Sequence, residues 1–297
     1  MGTPEFAVES LKILVEHHFN VVAVITAPDK PQGRGQKLTF SPVKDYAVSR
    51  NIAVLQPAKL KSPEFLEELK KYRANLQVVV AFRMLPEVVW SMPEYGTFNL
   101  HASLLPQYRG AAPINWAIIN GEKLTGVTTF FIKHEIDTGS IILQEEEAIS
   151  DQDNVGMLYE RLMKKGAGLV LKTVELIRDG SYTLKVQDES GGLQTAPKLF
   201  KETCEIDWAQ PSKKITDFVR GLSPYPTAWT AFNGQTYKIY EVKVHEKAIA
   251  GEPGTVMADP DDGIFVKTGD GSVQVLDLQL QGKKRMSAGD FLRGNSI

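Results

Sequence analysis

Short β-branched runs alternating with helix-like stretches constrain this chain more than any other feature. Asn20 to Thr26 (NVVAVIT) and Gln77 to Phe82 (QVVVAF) are continuous apolar runs, the pattern of strands buried on both faces. Ile52 to Leu55, Thr97 to His101 and Gly126 to Ile132 are further strand-like runs. Between them, Pro42 to Arg50 has Ser41 as its cap and Pro42 at the first helical position, and Ser62 caps a helix that starts at Pro63. A helix follows Pro113, and Val155 to Arg178 keeps helical periodicity until Asp179-Gly180 stops it. Alternation of this kind predicts an α/β fold with a doubly wound, mostly parallel sheet. The chain opens Met1-Gly2-Thr3-Pro4-Glu5-Phe6, a turn leading straight into a helix. In a doubly wound sheet such a turn leaves a central strand, so an unpaired slot is expected beside it.

From Asp188 to Leu199 the pattern breaks at Gly191-Gly192 and Pro197. After Cys204 it resumes as β-type runs at Thr236 to Val244, Gly254 to Met257, Gly263 to Thr268 and Ser272 to Gln281, separated by Gly, Asp and Pro turns. This texture predicts a small C-terminal β-barrel. The expected domains are therefore 1–187, a linker at 188–204, and a barrel at 205–297, which suits a chain of 297 residues. A net charge of −2 gives no global attraction for nucleic acid, so any such partner must meet a local basic patch. The one cysteine, Cys204, excludes an internal disulfide framework and fits a reducing compartment. No run approaches the roughly 18 apolar residues of a membrane span, and no basic segment followed by an apolar one opens the chain. A cytoplasmic location without membrane attachment is expected.

Chemistry concentrates at Phe98-Asn99-Leu100-His101-Ala102-Ser103-Leu104-Leu105-Pro106. Strand side chains alternate, so Asn99 and His101 share one face while Phe98, Leu100 and Ala102 take the other. An amide and an imidazole thus stand together at a strand end, where open α/β sheets hold their ligands. Asp137, in Glu135-Ile136-Asp137-Thr138-Gly139, follows the next apolar run. Together Asn99, His101 and Asp137 can polarise a carbonyl, carry a proton and hold the imidazole in one orientation, or they can form a buried polar network that merely closes a sheet edge. No second Cys or His stands by to make a metal site. His134, three residues before Asp137, belongs to a neighbouring loop or the opposite face, and His17 and His18 sit near a helix end in solvent.

Two loops could meet a ligand. Tyr108-Arg109-Gly110-Ala111-Ala112-Pro113 permits close backbone approach just before a helix, either to receive an anionic or amide-rich ligand or simply to enter the helix tightly. Pro28 to Lys37 holds three cations and two glycines, and could embrace a phosphate backbone or remain a solvated loop. Lys283-Lys284-Arg285 is a smaller basic patch. A G-x-G-x-x-G fingerprint, a G-x-x-x-x-G-K-[ST] loop and a G-x-S-x-G elbow are all absent, which weighs against dehydrogenase, NTPase and hydrolase activities.

At these residues the chain resembles the methionyl-tRNA formyltransferases, a family of the folate-dependent formyltransferase superfamily. The resemblance runs from Gly2-Thr3-Pro4-Glu5-Phe6-Ala7 almost to the C-terminus. It includes Gly33-Arg34-Gly35-Gln36-Lys37-Leu38 with Ser41-Pro42-Val43-Lys44, then Asn99 to Pro106, Tyr108 to Ile114, Asp137-Thr138-Gly139, Ile206-Asp207-Trp208 and Gly282-Lys283-Lys284-Arg285-Met286. The Asn-x-His and Asp-x-Gly elements are shared across the superfamily; the Arg34 loop and the Lys283-Lys284 tail single out the tRNA enzymes. The resemblance implies a Rossmann-like N-terminal domain and an OB-like C-terminal barrel. It implies transfer of the formyl group of 10-formyltetrahydrofolate, a co-substrate, to the amino group of methionyl initiator tRNA, with no metal and as a monomer. By the same resemblance Asn99, His101 and Asp137 are catalytic, Ser103, Leu104, Leu105 and Pro106 line the folate site, and Arg34 and Lys37 meet the tRNA. Ala81 to Pro86 stands where relatives carry a Gly-containing loop beside the pterin, so no pterin contact is assigned there. The alternatives are a folate formyltransferase acting on an amino sugar nucleotide or a purine precursor, and a noncatalytic RNA-binding module.

Overall fold

The computed structural model describes residues 1–32, 37–259 and 261–297. Contacts divide the chain into two compact units. The first holds Met1–Arg109, Gly126–Glu147 and Tyr159–Gln194; the second holds Gly110–Thr125, Ala148–Leu158 and Thr195–Ile297.

The helix and strand signals fall where expected, with ends moved by a few residues. The chain begins with α1 (Glu5–Glu16), β1 (Ala23–Ile25), a hairpin of β2 (Lys30–Gln32) and β3 (Lys37–Thr39), α2 (Pro42–Ser49), β4 (Ala53–Leu55) and α3 (Pro63–Lys71). The Ser41 hydroxyl accepts from Lys44 N and the Ser62 hydroxyl from Phe65 N, so both expected caps form over helices with Pro at the first turn. There follow β5 (Gln77–Val80), α4 (Glu87–Trp90), β6 (Thr97–His101), β7 (Arg109–Gly110), α5 (Pro113–Ile119), β8 (Leu124–Phe131), β9 (Ile141–Ala148) and α6 (Val155–Asp179). β1 pairs with β4 in parallel; β5, β6, β8 and β9 form a second sheet in that order, with β5–β6 parallel and β6–β8 antiparallel. Ile25, Leu55, Phe65, Leu69, Val79 and Val89 make the buried core between these strands and helices. Each fully buried side chain of this kind contributes about 1.5–3 kcal/mol of transfer free energy.

The two sheets are separate because a strand's width lies between β1 and β5. Among the described residues, only Met1 and Gly2 bridge that space, Gly2 lying parallel to Val80. Gly2 N donates to Ile25 O at 3.0 Å and Val80 N donates to Met1 O at 2.9 Å, which links the two sheets at one end. Behind them lies a cavity of about 550 Å³, walled by Leu11, Val22, Val24, Leu76, Val78 and Val174 among others. This is the expected slot, and none of Asn99, His101 or Asp137 lines it. Its walls combine the aliphatic side chains of both sheets with Asn20, Arg73, Asn75 and Arg178, and its place between β1 and β5 suits a short strand. An extended apolar segment joined ahead of Met1 would fill the cavity. Such a chain is expected to melt several degrees higher, and equal midpoints with and without the segment would reject the strand-slot interpretation.

The second unit carries β10 (Thr195–Ala196), a 3₁₀ turn at Glu202–Cys204, α7 (Ser212–Leu222), β11 (Ala228–Phe232), β12 (Gln235–His245), β13 (Val256–Asp259), β14 (Gly263–Lys267), β15 (Ser272–Leu280), β16 (Met286–Ser287) and α8 (Ala288–Leu292). The expected small barrel takes the form of a six-stranded antiparallel sheet, ordered β11-β12-β15-β14-β13 with β16 on β15. α7 lies in the region expected to be β-rich; its Ile215, Val219 and Leu222 enter the core formed by Tyr237, Ile239, Val273, Val275 and Leu278. Cys204 is buried in this core, and burial raises its thiol above the ordinary range, as an inert cysteine requires.

Candidate active site

β6 is flanked on both sides. Asn99 lies opposite Val79 of β5 and Phe130 of β8, and His101 lies opposite Thr128 of β8. Alternation behaves as expected. Leu100 turns toward α6, where a Cβ on Gly166 would stand 2.8 Å from its Cδ2, while Asn99 and His101 turn the other way. A strand fixed on both edges is a rigid base for these two side chains.

His101 is buried, and its Nε2 lies 2.8 Å from the backbone oxygen of Tyr108. A carbonyl only accepts, so Nε2 carries the hydrogen and donates it. Nδ1 is thereby the nitrogen left for proton exchange. It stands 3.8 Å from Asp137 Oδ2, an ion-pair separation rather than a hydrogen bond. The structure thus brings His101 and Asp137 together. The Asn99 amide makes no side-chain hydrogen bond among the described residues, so both of its hydrogens can serve a bound oxygen. His134 lies away from this group, largely exposed, with Nε2 3.3 Å from Glu87 and its ring edge on Trp90.

The Tyr108 peptide is held in turn. Tyr108 has φ +60°, an uncommon conformation for a bulky residue, and its N–H donates to Gln194 O at 2.7 Å. Asp137 also has a positive φ, +55°. Its loop is fastened by Gln187, whose Nε2 donates to Asp137 O and to Gly139 O, each at 2.8 Å. Gln187 Oε1 accepts from Arg109 Nε at 3.0 Å and Nη2 at 2.6 Å. Neither Tyr108 nor Gln187 was assigned a role from sequence, since one acts through its backbone and the other comes from a segment 50 residues away from Asp137.

The loop after β6 is tied into β8 and β9. Ser103 Oγ donates to Gln107 O at 2.6 Å, and Thr128 Oγ1 donates to Ser103 O at 2.6 Å. Leu105 N donates to that Thr128 oxygen at 3.2 Å, and Gln144 Nε2 donates to Leu105 O at 2.8 Å. Ser103 and Leu105 are buried, while Leu104 and Pro106 are half-buried and offer apolar surface. The helix-start amides of Ala111 and Ala112 are taken by Ala196 O, at 2.7 and 3.2 Å, so this close approach serves the chain itself rather than a ligand. Arg34 lies outside the described residues. Lys37 opens β3, paired across to Gln32. Just beyond this hairpin, Lys44 Nζ joins Asp29 at 2.5 Å and Gln56 at 2.9 Å, anchoring its base. Ala81, at the head of the Ala81 to Pro86 loop, has φ +46°.

A family profile described as formyl transferase matches residues 1–174, and one described as formyl transferase, C-terminal domain, matches residues 198–296. The chain is 54% identical to a methionyl-tRNA formyltransferase of Bacteroides fragilis, covering 99% of this chain and 93% of that protein. It is 57% identical to a methionyl-tRNA formyltransferase of Parabacteroides distasonis, covering 99% and 94%. Among solved structures it is similar in fold to WlaRD, a sugar 3N-formyl transferase, with TM-score 0.68 and 22% identity over 95% of this chain and 97% of that one. An N-formyltransferase of Helicobacter canadensis gives TM-score 0.65 and 22% identity over 92% and 96%.

Proposed function

The chain belongs to the formyltransferases and, within them, to the methionyl-tRNA formyltransferases, and from that premise we propose how its residues carry out the transfer. The enzyme formylates the methionine amine of initiator tRNA, for translation initiation. The likeness to sugar formyltransferases is one of fold, whereas the full-length likeness is to the tRNA enzymes.

The donor in this proposal is 10-formyltetrahydrofolate, a co-substrate. Support comes from the family and from neighbours solved with tetrahydrofolic acid, 5-N-formyl-THF or folinic acid. The free methionine amine attacks the formyl carbon, forming the new C–N bond while the carbonyl electron pair moves to oxygen. Asn99 donates an amide hydrogen to that oxygen, worth about 3 kcal/mol in comparable sites. Nδ1 of His101, or a water beside it, takes the proton from the amine and passes it to N10 of the folate as the C–N10 bond breaks. Asp137 holds the imidazole facing that path. The products are the formylated amine and tetrahydrofolate. Leu104 and Pro106 give the folate apolar surface, and Ser103 and Leu105 fix the loop that presents them. The observation that carries the proposal is the Nε2–H bond to Tyr108 O, which leaves Nδ1 turned toward Asp137.

In the same proposal residues 1–187 catalyse, 188–204 link, and 205–297 bind tRNA, with Arg34 and Lys37 on phosphates. The enzyme works as a cytoplasmic monomer; among the described residues no helix is long and apolar enough to cross a membrane. One assay tests donor and acceptor together. With 10-formyltetrahydrofolate and charged initiator tRNA, formyl-methionine and tetrahydrofolate are expected in equal amounts; product without tetrahydrofolate would reject the donor. Repeated over a range of salt, Arg34→Ala should reduce the slope of log affinity against log salt by about 1. An unchanged slope would reject its phosphate contact.

A further inference from the structure

We propose that Gln187, clamped by Arg109, is a positioning residue that aims the Asp137 carboxylate at His101; this rests on the catalytic role of Asp137 proposed above. Gln187 is buried, at 7% exposure. A glutamine amide has two donor hydrogens and two acceptor sites on its oxygen, and here all four are used. Both hydrogens go to carbonyls of one loop, Asp137 O and Gly139 O at 2.8 Å. Both acceptor sites go to one guanidinium, Arg109 Nε and Nη2. Rotating the amide by half a turn would set its oxygen against two carbonyls and its NH₂ against a cation. The amide therefore has one orientation, and the loop it holds has one position.

The loop needs such a hold. Asp137 adopts φ +55°, which a non-glycine residue keeps only when its surroundings enforce it. Gln187 grips the carbonyls on both sides of Thr138 and so fixes the peptide plane that follows Asp137 and the one that follows Gly139. Arg109 is kept in place by Glu189, whose Oε1 accepts from its Nη2 at 2.7 Å. Glu189 is exposed, so the inner pair of bonds to the buried amide carries more of the hold than this outer one.

Gln187→Glu separates positioning from packing. The variant keeps the shape of the side chain and both bonds from Arg109, but it has no hydrogen to give and turns a carboxylate oxygen toward two carbonyls. Expected are a fall in kcat of roughly 10- to 100-fold, a folate KM within about threefold of the parent, and an unchanged far-UV spectrum. Gln187→Met, neutral and of similar length, should give the same kcat loss, and it serves if the glutamate variant does not fold. The decisive comparison uses Asp137→Asn. If Gln187 acts through Asp137, adding Gln187→Glu to Asp137→Asn should change kcat by less than about threefold. Full additivity in that double variant, or parent-like kcat in both Gln187 variants, would overturn the proposal. Parent-like kcat in Asp137→Asn alone would instead overturn the catalytic role on which it rests.

Discussion

Asn99→Ala is expected to lower kcat for formyl transfer by roughly 10²- to 10³-fold while the KM for folate stays within about threefold. The size follows from what the amide does. In the proposed mechanism it donates to an oxygen that becomes fully charged only as the tetrahedral species forms, so its loss raises the barrier without weakening the ground-state complex. β6 is paired on both edges, so truncating Asn99 leaves the strand and the His101 peptide in place. His101→Ala should produce a loss of similar size by a different route, removing Nδ1 as the proton carrier. If the two groups serve one transition state, as proposed, the Asn99→Ala, His101→Ala double variant should lose much less than the product of the two single losses. Single-turnover rates with saturating donor and charged tRNA measure this directly. Parent-like rates in both single variants would reject the assignment, and strict multiplicativity would mean that the two side chains act in separate steps.

Gly139→Ala should be the most damaging single change in the loop. A Cβ built at Gly139 would overlap the backbone oxygen of Phe131, with the Phe131 carbonyl carbon at 2.8 Å and the Phe130 ring at 3.1 Å. The first obstacle is main chain at the end of a paired strand: Phe131 N donates to Ser140 O, and Phe131 pairs across from Phe98. It has no rotamer by which to yield, unlike the tip of a flexible side chain. Either β8 or the Asp137 loop must move, and Phe131 lies in the better-anchored element. We expect a destabilisation of at least about 3 kcal/mol, together with loss of transfer activity beyond what the stability change explains, because the moving loop takes Asp137 with it. Thermal melts and kcat at a temperature where the variant is folded check both parts. A variant with parent-like melting would show that the loop has room the geometry denies.

The contrast between Thr97–His101 and Gln187 shows what the sequence makes legible. The strand was readable to its ends because its signal is local: alternating side chains bounded by Gly96 and the Ser103–Pro106 loop. The caps at Ser41 and Ser62 were readable for the same reason, since each acts on an amide three residues on. Asp137 was legible as the carboxylate of an Asp-Thr-Gly turn, though not its distance from His101. The bond from His101 to Tyr108 O was not readable, because a backbone acceptor leaves no residue signature. Gln187 was hidden by separation and by its place at the edge of an assumed linker. α7 carries a local signal, since Pro211 followed by Ile215, Val219 and Leu222 is a helical stripe, but the surrounding β texture obscures it. The empty space beside β1 was readable from the opening turn alone, but its volume depends on how α1 and α6 pack over it.

The group that selects the hydrogen-bearing nitrogen of His101 is a peptide oxygen rather than a side chain. Every amino acid supplies that oxygen, so a substitution at position 108 that keeps the buried main-chain path leaves the imidazole in the same tautomer. Only the path of the main chain matters, and a residue content with φ near +60°, such as glycine or asparagine, would keep it at least as well. The protonation pattern of the active site is in this respect inherited with the fold rather than with any one codon. Changes at this position that spare the main chain therefore leave the His101 tautomer as it is, whereas a one-residue deletion anywhere between His101 and Tyr108 would not.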